Sequence, residues 1–130
     1  MKVAIIGFGT VGSGTARILV EHRDDIRRKA GVEIEIAAVC SRNIAKADTG
    51  FLHASVRRCT DWREALAVTG VDVVAELVGG TGVAEEIVRA ALSAGKTVVT
   101  ANKNMLATRG SDLEKLARQK GAGLDRKSVV

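Results

Sequence analysis

Short apolar runs alternate with longer amphipathic segments along this chain. The runs are rich in branched and small aliphatic residues, as expected of strands that are buried on both faces of a parallel sheet. The predicted strands are residues 3–6, 34–40, 56–59, 71–78 and 97–101. Strands that alternate with helices are joined by right-handed crossovers and form a parallel sheet. The pattern therefore predicts an α/β fold with a Rossmann-like doubly wound parallel sheet.

Turn and capping residues mark the ends of the predicted helices. Glycine commonly ends a helix, whereas Ser or Asp followed three positions later by Glu commonly opens one. The predicted helices are residues 11–29, ended by Gly31; 61–67, opened by Asp61 and Glu64; 83–94, ended by Gly95; and one that is opened by Ser111 and Glu114 and ends near Gly121. Residues 41–55 show no clear period, so we expect an irregular connection with one short helix.

Three glycines separate the first predicted strand from the first predicted helix. Gly7, Gly9 and Gly12 have the spacing G-x-G-x-x-G. Between a strand and a helix, the first permits a sharp turn, the second lets the backbone approach a pyrophosphate, and the third lets the helix pack closely on the strand. The helix N-terminus then offers unpaired N–H groups to the phosphates. The alternative is a strand–helix turn that binds no ligand.

The carboxyl ends of the strands in such a sheet meet in one crevice, where ligands bind. The segments predicted to meet there are residues 7–12, Ser41 with Arg42, 78–82 and 100–103. From the last two segments, the expected cofactor contacts are Val78, Thr100 and Asn102.

The second predicted strand ends without a carboxylate. An NAD site usually has Asp or Glu at this point to bind the ribose 2′-hydroxyl, whereas this chain continues Cys40-Ser41-Arg42-Asn43. A guanidinium can bind a 2′-phosphate through two hydrogen bonds, and the Ser41 hydroxyl can add another. We predict that NADP is preferred and that NAD is also possible, with Arg42 as the main determinant. The alternative is a solvated loop arginine.

A lysine follows the last predicted strand. Lys103 comes directly after Asn102, where the nicotinamide end of a cofactor would lie if its adenine end lay near Arg42. An ammonium group at that place can bind a substrate carboxylate or polarise an oxygen during hydride transfer. The alternative is an ordinary surface lysine that opens a helix.

Composition narrows the class of protein. The chain has 130 residues, of which 46% are hydrophobic and 2% aromatic, and these values favour one globular domain with an aliphatic core. The net charge is +5, but the basic residues are dispersed and few aromatic rings are available for base stacking, so nucleic acid is not expected as a partner. Cys40 and Cys59 do not form a C-x-x-C pair and are expected to pack as small apolar residues. No signal peptide, membrane span or metal site is predicted, and we expect a cytoplasmic protein.

Three motifs in order resemble one enzyme family. GFGTVGSG at 7–14, VVAELVGG at 73–80 and VVTANKNMLA at 98–107 together resemble the N-terminal NAD(P)-binding domain of homoserine dehydrogenase. The resemblance covers residues 2 to about 124. It implies NAD(P)-dependent interconversion of L-homoserine and L-aspartate 4-semialdehyde, an oxidoreductase step toward threonine and methionine.

The resemblance also implies roles for individual residues. Phe8, Thr10 and Val11 are expected to contact the dinucleotide, and Gly79 and Gly80 to lie near its nicotinamide half. Lys103 matches the lysine at the cofactor–substrate junction and is the expected catalytic residue. Glu76 is expected to be structural or supporting. The family often has Arg-Asp where this chain has Cys40-Ser41, so Arg42, one position later, is expected to serve in its place.

The end of the chain departs from the family pattern. We expect residues 1–124 to form the NAD(P)-binding domain, incomplete at its C-terminus, and residues 125–130 to be a non-native tail. The family continues into a substrate and dimerisation domain that is absent here, so the fragment alone is expected to be inactive and the longer protein to be a homo-oligomer. The alternatives are a non-catalytic NAD(P)-sensing module and a different amino-acid or semialdehyde dehydrogenase.

Overall fold

Strands and helices alternate through residues 1–79 and 82–125, the part of the chain that the computed structural model describes. The strands are β1 (Lys2–Ile6), β2 (Glu35–Cys40), β3 (Arg57–Cys59), β4 (Val71–Glu76), β5 (Thr97–Thr100) and β6 (Leu124–Asp125). The helices are α1 (Thr10–Glu21), α2 (Arg23–Ala30), α3 (Trp62–Ala67), α4 (Gly82–Ser93) and α5 (Lys103–Lys120), with a 3₁₀ turn at Ile44–Lys46. The predicted α/β alternation is confirmed.

The strands form one parallel sheet in the order β3-β2-β1-β4-β5-β6. The chain builds outward from β1 to β3, then returns to the other side of β1 and builds outward again from β4. This reversal leaves a crevice at the carboxyl ends of β1 and β4, because the connections leave these two strands in opposite directions. The doubly wound sheet predicted from the sequence is confirmed.

The interior consists of two apolar layers, one on each face of the sheet. Alternate residues of β1 enter different layers: Val3 and Ile5 face one, and Ala4 and Ile6 face the other. The first layer is covered by α1 and by the segment 44–56, and the second by α3, α4 and α5. With both faces covered, most buried positions of the central strands are aliphatic, as the sequence pattern indicates.

The prediction of one helix over residues 11–29 is wrong, because α1 and α2 are separate helices that meet at His22. The apolar positions that bury one face of α1 do not continue, and α2 has no buried residue. Ion pairs such as Arg28 with Asp25 lie on its surface. Because a helix that is polar on all faces has no periodic apolar positions, the sequence does not show where its axis turns away from that of the preceding helix. The predicted stop at Gly31 is confirmed, with φ of +73°.

The prediction that Ser111 and Glu114 open the last helix is also wrong. α5 begins eight residues earlier, at Lys103, and runs through both positions without a break. Asn102 is its N-cap, since its Oδ1 accepts a hydrogen bond from the Met105 N–H at 3.0 Å. Burial of Met105 and Leu113 on the sheet holds both halves of the helix in one line. The predicted stop at Gly121 is confirmed by its φ of +65°.

The last described strand lies at the edge of the sheet. β6 has two residues and pairs with β5, with Leu124 opposite Val98. The predicted domain boundary at residue 124 therefore falls inside β6. Residues 126–130, most of the predicted tail, lie outside the described residues.

Membrane-spanning helices and metal-binding clusters are absent from the described residues. Within the described ranges, no helix is both long and apolar enough to span a bilayer, and no cluster of His, Cys, Asp and Glu could hold a metal.

Cys40 and Cys59 are register partners on β2 and β3, and both are buried and form no disulfide. Burial raises the pKa of the Cys40 thiol to about 11, which keeps it protonated and unreactive at neutral pH. This confirms their predicted role as small packing residues.

Candidate functional site

Two of the three motif glycines are required by the packing of the turn between β1 and α1. Gly7 has φ of +101°, and a Cβ built on it would lie 2.6 Å from the carbonyl carbon of Leu77. A Cβ on Gly12 would lie 1.8 Å from the carbonyl oxygen of Gly7. The first helical turn therefore lies directly against the end of β1, and no larger residue fits at either position without moving backbone.

The third glycine faces open space. Gly9 is the N-cap of α1, and a Cβ built on it would have no atom within 4 Å. Thr10 and Val11 follow it and are exposed. In the part of the chain that the structure describes, no side chain caps this helix and no acidic residue lies in its first turn. The N–H groups of that turn and the helix dipole are therefore available to an anion beside Gly9.

A cavity of about 340 Å³ lies next to this helix start, at the carboxyl ends of β4 and β5. Its lining residues are Val11, Glu76, Leu77, Val78, Gly79, Ala101, Asn102, Lys103 and Asn104. Five of these were predicted as site residues: Val11, Val78, Gly79, Asn102 and Lys103. Residues of three predicted segments, 7–12, 78–82 and 100–103, therefore line one cavity, whereas those of the fourth, Ser41 and Arg42, do not. Ala101 lies within the predicted segment 100–103, and Glu76 was expected to be structural or supporting. Leu77 and Asn104 were missed, although each adjoins a predicted site residue.

A buried carboxyl group lies in the wall of this cavity. Glu76 ends β4, and its side chain is completely buried. Its Oε1 accepts a hydrogen bond from Thr100 Oγ1 at 2.7 Å, and its Oε2 accepts one from the Val78 N–H at 2.8 Å. Burial raises the pKa of this carboxyl, and the two hydrogen bonds counteract part of that effect. Thr100 is equally buried, so its hydroxyl group contacts Glu76 rather than solvent.

Lys103 lies at the rim of the cavity, as the first residue of α5. Its side chain is exposed, whereas Asn102 beside it is half-buried. The Asn102 N–H donates to Thr100 Oγ1 at 3.1 Å, and the Asn102 side chain caps α5. The lysine is thus attached to a fixed helix start, and its ammonium group is free to reach a ligand in the cavity.

Ser41 and Arg42 lie at the end of β2, outside the lining of this cavity. Their strand is held against the glycine turn, because the Gly7 N–H donates to the Cys40 carbonyl at 2.8 Å. Ser41 Oγ accepts a hydrogen bond from the Asn43 N–H at 3.3 Å. Arg42 is exposed and forms no ion pair or hydrogen bond with another described residue. Its guanidinium is therefore available to a ligand that extends from the turn toward β2.

The side chain of Phe8 points away from the cavity. It is buried in the layer under α1, and its ring stacks on Phe51 with 6.4 Å between centroids. Arg17 lies over the Phe51 ring at 4.2 Å and pairs with Asp48 at 2.9 Å, which holds the segment 44–56 against α1. Phe8 can therefore offer a ligand only its backbone.

A larger cleft of about 530 Å³ lies elsewhere, between the end of α1 and the segment 51–56. It is lined mainly by apolar residues such as Leu19, Ile34 and Leu52. None of the predicted site residues lines it. Size alone therefore does not locate the functional site, and the smaller cavity at the strand ends is the candidate.

Comparison with known proteins agrees with this geometry. Residues 7–124 match the family model described as homoserine dehydrogenase, NAD binding domain. The chain belongs to this family. The recognised motifs, the Rossmann-like sheet and the family assignment predicted from the sequence are confirmed.

Similar proteins carry the same name. Homoserine dehydrogenase from Neisseria gonorrhoeae is 40% identical over 119 residues, which are 92% of this chain and 27% of that protein. The enzyme from Pseudomonas aeruginosa is 40% identical over 122 residues, or 93% of this chain and 27% of that protein. The chain thus spans about a quarter of the length of the curated relatives it matches.

Solved structures of the family have the same fold. A homoserine dehydrogenase from Thiobacillus denitrificans superposes with a TM-score of 0.88 at 34% identity, covering 98% of this chain and 29% of that one. A Staphylococcus aureus homoserine dehydrogenase gives a TM-score of 0.86 at 31% identity, covering 98% and 32%.

An NAD-binding domain of this family needs a cradle for a pyrophosphate, and the residues at α1 fit that requirement. A methyl group at Gly9 would fill space that is open, whereas methyl groups at Gly7 and Gly12 would meet backbone. The open backbone beside Gly9 therefore has the room that a pyrophosphate requires. Gly80, also predicted to contact the cofactor, lies outside the described residues.

Proposed function

We propose that this chain is the cofactor-binding part of an enzyme that interconverts L-homoserine and L-aspartate 4-semialdehyde. The observation that carries this is the convergence of the first turn of α1, the Val78–Gly79 turn and Lys103 on one cavity at the carboxyl ends of the strands. The first turn of α1 beside Gly9 would hold the pyrophosphate, and the cavity lined by Val78, Gly79 and Lys103 would hold the nicotinamide. When bound, the nicotinamide supplies or accepts the hydride.

Arg42 and Ser41 give the site a preference for NADP over NAD. Arg42 has no carboxylate partner among the described residues. It lies at the end of β2, the strand next to β1, and an adenosine ribose would extend from the glycine turn toward it. Its guanidinium pairs with the 2′-phosphate, and the Ser41 hydroxyl lies beside it. NAD lacks that phosphate and gains nothing from the guanidinium.

Replacement of Arg42 by Ala is expected to weaken NADPH binding about tenfold or more, the loss of a charge-assisted contact, and to leave NADH binding unchanged. Fluorescence titration of the 130-residue chain with each reduced cofactor measures both affinities. Lys46→Ala is the matched control, because it removes a neighbouring exposed cation from the same connection. An NADPH-to-NADH affinity ratio that is unchanged in Arg42→Ala would make this assignment wrong.

Lys103 acts on the substrate at its junction with the cofactor. Its exposed ammonium binds the substrate carboxylate or polarises the oxygen of the substrate carbonyl, whose carbon gains the hydride. Hydride transfer also requires the substrate to be held against the nicotinamide. A second domain of the longer protein, with an acidic residue and a lysine, supplies the rest of that pocket, so the 130 residues alone bind cofactor but turn over negligibly.

A domain exchange tests this role. Residues 1–124 would replace the matching segment of the Pseudomonas aeruginosa relative, and homoserine-dependent NADPH formation would be measured. We expect activity in the hybrid, about 100-fold less in its Lys103→Ala variant, and none in the isolated chain. Lys115→Ala, an exposed lysine farther along α5, is the control. Equal activity of the two lysine variants would contradict the catalytic role of Lys103, and robust activity of the isolated chain would contradict the need for a second domain.

The setting of the longer protein follows from the same proposal. The enzyme is cytoplasmic, in keeping with two buried thiols that form no disulfide, and it is a homo-oligomer through its second domain. Its partner is the small amino-acid substrate, with no role for nucleic acid or membrane.

A further inference from the structure

Glu76 is a buried carboxyl group that the proposed function leaves without a task. Among the described residues, it is the only acidic residue that is fully buried. Burial of a carboxylate is costly, and a hydrophobic residue of similar size would normally stabilise a strand end better. The cost indicates that the group does something at this place that an apolar residue would not.

Its hydrogen bonds join the two turns that form the cavity. Glu76 and Thr100 are register partners at the ends of β4 and β5. Through Oε2 the carboxylate holds the Val78 N–H, and through Oε1 it holds the Thr100 hydroxyl. Thr100 Oγ1 in turn accepts the Asn102 N–H at 3.1 Å. Three consecutive hydrogen bonds therefore connect the backbone of one turn to the backbone of the other.

Each end of this chain of hydrogen bonds leads to a part of the candidate site. Asn102 caps α5 and so fixes the helix start that carries Lys103. On the other side, Leu77 lies against Gly7 and donates its N–H to the Ile6 carbonyl at 2.8 Å. A shift of the Val78 turn would therefore also disturb the glycine turn.

We propose that Glu76 is a positioning residue that holds the Val78–Gly79 turn and the Asn102–Lys103 turn in one fixed arrangement around the nicotinamide end of the site. This rests on the proposed function, because it assumes that the cavity receives the cofactor. Glu76 touches neither cofactor nor substrate in this role. It acts through the backbone of Val78 and through Thr100.

The role requires a group that accepts hydrogen bonds at both oxygens. A carboxylate does so, whereas the amide of Glu76→Gln has one acceptor and one donor. If the amide oxygen keeps the Val78 N–H, the amide nitrogen must face Thr100 Oγ1, and the hydroxyl hydrogen loses its acceptor. The Asn102 N–H then competes with the amide for the same oxygen. The substitution preserves size and disturbs only the link between the turns.

The test compares Glu76→Gln with Asp72→Asn in the 130-residue chain. Asp72 is an exposed carboxylate at the other end of β4 that also accepts a backbone N–H, that of Lys2 at 3.0 Å. For Glu76→Gln we expect NADPH affinity to fall about fivefold or more, roughly the loss of one hydrogen bond. The unfolding temperature should stay within about 3 °C, because the substitution also removes a buried charge. Asp72→Asn should leave the affinity unchanged.

Amide hydrogen exchange measured by NMR supplies an arm that needs no cofactor. In Glu76→Gln, exchange at the Asn102 amide should accelerate about tenfold, since the link to Thr100 is weakened, while Asp72→Asn leaves it unchanged. If neither NADPH nor NADH binds the wild-type chain, the proposed function fails, and this arm still shows whether the turns are linked. NADPH affinity within twofold of wild type or unaltered exchange at Asn102 overturns the positioning role.

If Glu76→Gln does not fold, Thr100→Val and Thr100→Ser test the same link from its other end. Valine removes the hydroxyl that joins Glu76 to Asn102, and serine retains it. The proposal expects fast Asn102 exchange and weak NADPH binding in the valine variant, with both restored in the serine variant. Equal behaviour of the two variants would overturn it.

Discussion

Gly12→Ala is expected to lower the free energy of unfolding by about 3 kcal/mol or more, a large part of the stability of a domain of this size. The added methyl group would lie 1.8 Å from the Gly7 carbonyl oxygen, well inside van der Waals contact. Because that oxygen belongs to backbone at the end of β1, the clash cannot be relieved by rotation of a side chain. Either α1 moves away from the sheet or the glycine turn opens.

Gly14→Ala provides the matched comparison for this stability measurement. Gly14 lies two residues later in α1, and a Cβ built on it meets nothing within 4 Å. Alanine there should be neutral or should stabilise the chain by about 0.5–1 kcal/mol through helix propensity. Urea denaturation of both variants decides the matter. Similar unfolding free energies for the two would show that the close contact between α1 and β1 is not required.

Gly9→Ala is expected to leave stability close to that of the wild type and to weaken both NADPH and NADH binding about tenfold or more. Gly9 has an extended backbone with φ of −81° and open space around its Cβ position, so alanine fits the free chain. The methyl group would occupy the space that a pyrophosphate needs beside the start of α1. Both cofactors contain that pyrophosphate, so both should lose affinity.

Titration with both cofactors, together with a thermal melt of the same sample, measures this effect. Gly14→Ala again serves as the control and should bind as the wild type does. The pattern differs from that of Arg42→Ala, in which only NADPH binding is weakened. Unchanged affinity for both cofactors in Gly9→Ala would mean that the phosphates do not lie beside this glycine.

The helices show where sequence patterns stop being informative. The stops at Gly31, Gly95 and Gly121 were predictable, because each glycine has a positive φ that other residues rarely adopt. The break at His22 was not, since α2 buries no residue and so has no apolar period. The start of α5 was missed because Ser111 and Glu114 have the spacing of a capping box, yet burial of Met105 and Leu113 extends the helix through them.

Part of the candidate site could likewise be predicted from the sequence, and part could not. Gly7, Gly9 and Gly12 could be assigned separate tasks from their spacing, and the structure gives each a distinct environment. A structural or supporting role was expected for Glu76, but its partner could not be seen, because Thr100 lies 24 residues away. Only the pairing of β4 with β5 brings the carboxylate and the hydroxyl together.

The sequence by itself determined the α/β alternation, the family and the segments that meet at the candidate cavity, because these depend on local periodicity and on short motifs whose spacing has a direct physical meaning. The tertiary structure alone decided the strand order, the division between α1 and α2, the continuity of α5 and the link from Val78 through Glu76 and Thr100 to Asn102. These features depend on which distant residues meet across the sheet. These contacts are determined by the simultaneous burial of both faces of the sheet, and no local sequence pattern predicts them.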